Sequence, residues 1–163
     1  MEIIELAPAS WREYKELRLE ALRKEPRAYF TTYKDSLQQP DGYWQARLEA
    51  VSEGKGSWLL FAREGGRLVG IIGAYTDAGV TEIVSLYVTS HARRRGLGRA
   101  LMNAILKKIT GFNPDQVIRL TVNASQRAAV ELYRSLGFKT ASRQNALMGD
   151  GRRYDTWVME KIL

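Results

Sequence analysis

The chain has 163 residues, no cysteine and a single histidine, His91. That composition excludes disulfide frameworks, iron–sulfur clusters, a cysteine nucleophile and any multi-histidine or cysteine–zinc site, so no metal is expected. Lysine and arginine number 25 against 18 acidic residues, a formal charge of +7, which draws polyanions: nucleic acid, acidic lipid or a multiply phosphorylated cofactor.

Residues Glu2 to Leu6 read as a short strand. Ser10 and Glu13 have capping-box spacing, and Trp11, Tyr14, Leu17, Arg18, Ala21 and Leu22 follow at helical intervals, so a helix is predicted to about Lys24, ahead of Pro26. Pro40-Asp41-Gly42 is a breaker, and Tyr43 to Val51 reads as a second helix. Ser57 to Arg63 and Leu68 to Thr76 are strands joined by Glu64-Gly65-Gly66-Arg67, a hairpin signal. Thr81 to Val88 is a further strand. Leu101, Ala104, Ile105 and Ile109 mark a helix that Gly111 to Asp115 should break. Val117 to Val122 is a strand, and Ser125 is placed to cap a helix carrying Ala129, Leu132, Tyr133 and Leu136. Phe138 to Ala141 and Tyr154 to Lys161 are two closing strands across the polar stretch Ser142 to Arg153.

The order is β-α-α-β-β-β-α-β-α-β-β. It predicts an α/β (α+β) domain over residues 1–163, with a mixed, mostly antiparallel sheet flanked by helices. No apolar run approaches the ~18 residues of a membrane span. Met1-Glu2-Ile3-Ile4-Glu5 is acidic with no long apolar run after it, so no signal peptide is expected. A cytoplasmic protein without a membrane partner is the expectation.

Arg93-Arg94-Arg95-Gly96-Leu97-Gly98-Arg99 lies between a predicted strand and a predicted helix. A helix start leaves backbone N–H groups without partners and favours an anion. The two glycines allow close backbone approach, and the arginines add charge-assisted hydrogen bonds. A pyrophosphate suits this pattern; a tight turn with a solvated arginine run suits it too. In the later helix Tyr133 shares a face with Ala129, as a core residue or as a proton donor.

Together these segments resemble the GNAT N-acetyltransferase superfamily. Its cofactor motif Arg/Gln-x-x-Gly-x-Gly/Ala is met by Arg93, Gly96 and Gly98. Its later motif is met by Ala129, Tyr133 and Leu136-Gly137-Phe138, with Gln126 where the family has asparagine. The element order is the family's over the whole chain.

The resemblance implies acetyl-CoA as cosubstrate and a primary amine as acceptor. Backbone groups around Leu86, Tyr87 and Val88 would hold the pantetheine arm between the fourth and fifth strands. Those from Arg94, Arg95, Gly96, Leu97, Gly98 and Arg99 would hold the pyrophosphate, with Arg93, Gln126 and Ala129 beside them. Tyr133 takes the place of the general acid to the CoA thiolate. Glu82 resembles the strand glutamate that serves as base in the histone-acetyltransferase branch; it reads equally as a strand-end residue facing water, leaving a water chain as base. Period-2 alternation puts Glu82 on one face with Val84 and Leu86. Asp77 and Glu131 are weaker candidates for the base. Tyr29, Phe30 and Tyr33 fall where the family walls its acceptor groove. His91 reads as a loop residue or a phosphate contact, and Trp11, Trp44, Trp58 and Trp157 as packing.

Two other functions fit parts of the pattern. One is a catalytically silent acyl-CoA sensor. The other is a nucleic-acid module using the arginine run, although a basic recognition helix, a zinc site and an RNA-binding aromatic signature are all missing. Nucleic acid is therefore not the expected partner. The family admits homodimers; no feature of this sequence specifies one.

Overall fold

A computed structural model of the chain describes residues 1–163. Strands β1 (Glu2–Ile4), β2 (Ser57–Glu64), β3 (Arg67–Asp77), β4 (Val80–Val88), β5 (Val117–Asn123), β6 (Lys139–Leu147) and β7 (Arg153–Ile162) form one sheet in the order β1-β2-β3-β4-β5-β7-β6. Five of its six strand pairs are antiparallel; only β4 and β5 run parallel. The helices are α1 (Trp11–Lys24), α2 (Tyr33–Leu37), α3 (Asp41–Ser52), α4 (Leu97–Phe112) and α5 (Arg127–Ser135).

The expected mixed, mostly antiparallel α/β architecture is present. Two apolar layers flank the sheet. One buries Leu101, Met102, Ile105 and Ile109 of α4 against Ile72, Ile118 and Met159. The other buries Tyr14, Leu17, Ala21 and Leu22 of α1 with Trp44 and Leu48 of α3 against Phe61 and Ile71. Strands β2 and β3 are joined at Gly65 and Gly66, whose φ values of +57° and +77° suit the tight primed hairpin turn that glycine favours.

The structure departs from the sequence expectations at several ends. Ser10 provides no side-chain cap; a single turn of 3₁₀ helix, Pro8–Ser10, leads directly into α1. Helix α3 begins at Asp41 with Pro40 before it, so the predicted breaker is its first turn. The five-residue α2 was not predicted; Thr32 caps it by accepting the Asp35 N–H. Helix α4 continues through Gly111 to Phe112. Ser125 does not cap α5; instead the Asn123 side chain accepts the Ser125 N–H at 2.9 Å. Strand β6 extends through Leu147, well into the stretch expected to be loop.

The turn between β6 and β7 braces the segment that follows α1. Gly149 N–H donates to Tyr29 O at 2.7 Å. A Cβ at Gly149 would sit 2.8 to 3.1 Å from the carbonyl oxygens of Thr31, Pro26 and Tyr29. Backbone cannot yield there as a flexible side chain would. Gly149→Ala is therefore expected to lose about 1–3 kcal/mol, read from its urea unfolding midpoint; an unchanged midpoint would show that the turn relaxes freely.

Candidate acetyl-transfer site

Strands β4 and β5 pair only at Val80–Val117, Thr81–Ile118 and Glu82–Arg119. Beyond that point they part. A bulge in β4 accompanies the parting: its register against β3 shifts between Ile71 and Gly73, and Ser85 takes a left-handed φ of +65°. Such a conformation in a non-glycine residue is costly and tends to be kept where the backbone must be re-aimed.

A cleft of about 610 Å³ opens where the strands separate. It is lined by β4 from Ile83 to Val88, by β5 from Leu120 to Asn123, and by the facing ends of α4 and α5. At the α4 end the first intrahelical bond is Ala100 N–H to Gly96 O, at 3.0 Å. The N–H groups of Leu97, Gly98 and Arg99 thus have no acceptor within the helix and present an anion-binding end. Gly96 makes the turn into α4 with φ +80°. A Cβ at Gly98 would lie 3.6 Å from Leu132 Cδ2, so α4 and α5 approach closely here.

The arginine run divides its work. Arg94 and Arg99 line the cleft, and Arg99 also donates to Ser135 Oγ at 2.9 Å. Arg93 also borders it, but its guanidinium is engaged by Val88 O at 2.8 Å and Glu25 at 3.1 Å. It ties the loop to β4 and to the residue after α1. The Arg95 side chain points elsewhere: it pairs with Glu64 at 2.6 Å and does not line the cleft. His91 is exposed and does not line this cleft.

Tyr133 lines the cleft from α5 and is 8% exposed. Burial pushes its hydroxyl well above the ordinary tyrosine range, so it stays protonated. Ala129 lies one turn before it and Gln126 starts the helix; both line the cleft. Gln126 Nε2 is buried without a hydrogen-bond partner, a donor that a polar ligand group would satisfy. Leu86, Tyr87 and Val88 line the same cleft, whereas the Tyr87 hydroxyl reaches the opposite face and donates to Glu20 at 2.8 Å.

A second cleft, of about 470 Å³, lies on the α1–α3 side. It shares Ala28, Tyr29, Ile83, Val84, Ser85 and Thr121 with the first, so the two meet at the β4 bulge. Tyr29 separates them, and its hydroxyl donates to Leu86 O at 2.8 Å. Phe30 lines the second cleft and is half exposed; Tyr33 lines neither and packs toward the α1–α3 layer.

Glu82 lines the second cleft. The bulge breaks the alternation expected between Glu82 and Leu86, so Glu82 faces the second cleft and Leu86 the first. Burial raises the Glu82 carboxyl above its ordinary value, opposed by Arg119 at 3.7 Å. Arg119 is held by Glu160 at 2.9 Å. Asp77 and Glu131 are exposed and border neither cleft. Trp44 is buried in the core as expected, yet it also lines the second cleft and its indole Nε1 has no partner. Arg18 and Arg47, which the sequence did not single out as site residues, line that cleft too.

A model of the acetyltransferase (GNAT) family matches residues 11–138. The chain belongs to this family. Among solved structures, the GNAT-family acetyltransferase of Streptococcus pneumoniae is 20% identical, with 99% of this chain and 98% of that one covered at a TM-score of 0.86. The proposed acetyltransferase yncA of Salmonella typhimurium, solved with its cofactor acetyl-CoA, is 20% identical over 100% of this chain and 94% of that one, at a TM-score of 0.83. The N-alpha-acetyltransferase of Sulfurisphaera tokodaii is 32% identical over 77 residues, which are 47% of this chain and 45% of that protein. This match spans less than half the length of the curated relative. No helix here is long and apolar enough to cross a membrane.

Proposed function

We propose that this acetyltransferase moves the acetyl group of acetyl-CoA directly to a primary amine, with both substrates bound at once. The observation that carries the reading is the meeting of two clefts at the β4 bulge, one ending at a helix N-terminus and the other holding a carboxylate. The first fits acetyl-CoA. Backbone N–H groups at the start of α4, with Arg94 and Arg99, suit its pyrophosphate. Backbone groups of Leu86, Tyr87 and Val88 and the free Gln126 Nε2 suit the amides of its pantetheine arm. When bound, acetyl-CoA supplies an activated thioester carbonyl.

The chain's own groups meet the remaining needs of the reaction. An alkylammonium, with a pKa near ~10.4, must lose a proton before it can attack, and Glu82 stands in the acceptor cleft to take it. Backbone N–H groups of β4 where it parts from β5 are the donors we assign to charge developing on oxygen. As the new carbon–nitrogen bond forms and the carbon–sulfur bond breaks, the Tyr133 hydroxyl gives its proton to sulfur, and the proton shed by the acylated nitrogen restores the hydroxyl.

Acetyl-CoA at 100 times its dissociation constant should stabilise the fold by ~2.7 kcal/mol, about 5–10 °C of melting temperature in a domain of this size. ATP should raise it less, having no pantetheine arm. No rise at millimolar acetyl-CoA would overturn the reading. A strongly salt-dependent affinity for DNA would then favour the arginine run as a nucleic-acid surface.

A further inference from the structure

The second cleft is a cationic place in which to receive an amine. Arg18 lines it, and its Nη1 is buried without a hydrogen-bond partner. None of the ion pairs of the structure includes Arg18. Its guanidinium stacks on the Tyr29 ring, 4.6 Å from the centroid. Stacking satisfies one face of the cation and leaves its in-plane N–H groups available. Arg47 also lines the cleft; it donates to the Tyr14 hydroxyl at 2.8 Å and likewise meets no carboxylate. The unpartnered Trp44 indole N–H belongs to the same wall. The one acidic residue lining the cleft is Glu82, already engaged by Arg119.

This arrangement repels a bare polyamine, which brings only positive charge. It suits a molecule carrying an anion beside its amine. A carboxylate brings two acceptor oxygens to a wall whose donors lack them. A peptide N-terminus has a neutral carbonyl in that position and leaves the guanidiniums without a counter-charge. We propose that the acceptor is a free amino acid whose carboxylate is held by Arg18 and Arg47, with its amine turned toward Glu82 and the β4 bulge. The inference rests on the acetyltransferase reading and leaves its chemistry unchanged: nitrogen gains the acetyl group and sulfur leaves as the thiol. Burial lowers the Arg18 pKa, the direction that desolvation of a cation gives.

The test measures thiol release from acetyl-CoA with the twenty L-amino acids, their α-carboxamides and spermidine. At least one amino acid should exceed its amide by about 10- to 100-fold in kcat/KM. Arg18→Met should remove that preference by raising KM far more for the acid than for the amide, and keep the thermal shift with acetyl-CoA as proof of folding. Arg18→Lys should restore part of it. If no acceptor turns over, the Trp44 indole N–H resonance is followed as the amino-acid pool is added to protein saturated with CoA. A shift that Arg18→Met abolishes supports the inference, and no shift overturns it. Amides or spermidine turned over as well as the acids would also overturn it while leaving the acetyltransferase standing. A protein that acetyl-CoA does not stabilise would lose both.

Discussion

Tyr133→Phe is expected to bind acetyl-CoA as tightly as the parent and to turn over about 10²-fold more slowly. The Tyr133 ring packs at the cleft wall with its centroid 6.2 Å from that of Phe138. Phenylalanine keeps that packing. No side-chain hydrogen bond of the protein engages the hydroxyl, so removing it leaves no buried partner unsatisfied and costs little stability. What disappears is a proton, and it matters most where a thiolate is leaving. The loss should therefore fall on kcat, with the acceptor KM unchanged. It should shrink for an acetyl thioester of a more acidic thiol, whose sulfur departs without protonation. An undiminished kcat would mean that sulfur takes its proton from water. A parent protein that binds acetyl-CoA tightly but acetylates no amine would instead support the silent acyl-CoA sensor.

The cleft proposed for acetyl-CoA was far more legible in the sequence than the one proposed for the acceptor. Arg93, Gly96 and Gly98 sit in one short segment, and their spacing follows from a strand turning into a helix whose N–H groups must stay open. Ala129 and Tyr133 share one helix face, a local relation that period alone reveals. Side-chain direction was harder to read. Three consecutive arginines look alike in sequence, but Glu25 and Glu64 draw two of them aside, and only the fold places those acids. The second cleft gathers Tyr14, Arg18, Trp44 and Arg47 from two helices and Glu82 from a strand. No local pattern joins them. An unpaired Arg18 differs from any solvated helix arginine only once the Tyr29 ring and the surrounding wall are in place. The fold shows the same division. The Gly65-Gly66 hairpin was readable because its chemistry is local. The far half of β6 was not, because most of its residues are exposed and it carries no apolar alternation; pairing with β7 alone makes it a strand.

Glu82→Gln is expected to lower kcat/KM about 10²-fold near neutral pH and to replace the limb set by its carboxyl with a steady rise toward the amine's own pKa. Burial raises the Glu82 carboxyl, so in the parent the basic form is lost as pH falls through a value above the ordinary one. Arg119 opposes that rise. Arg119→Met should thus move the acidic limb to higher pH without abolishing it, an outcome a merely structural Glu82 would not produce. The sign for stability is opposite to that of an ordinary paired carboxylate. A carboxyl raised on folding favours the protonated chain, so this contribution is present below the unfolded pKa and lost as pH rises through the folded one. At neutral pH the ionised Glu82 is a burial cost that only Arg119 offsets. Glutamine removes the cost along with the ion pair, and Arg119 keeps Glu160 at 2.9 Å. The variant should therefore melt close to the parent and retain its shift with acetyl-CoA, so that lost rate reports the missing base. An acidic limb that stays at the parent's position in Glu82→Gln would assign the proton to a water chain, with Glu82 serving only to hold Arg119.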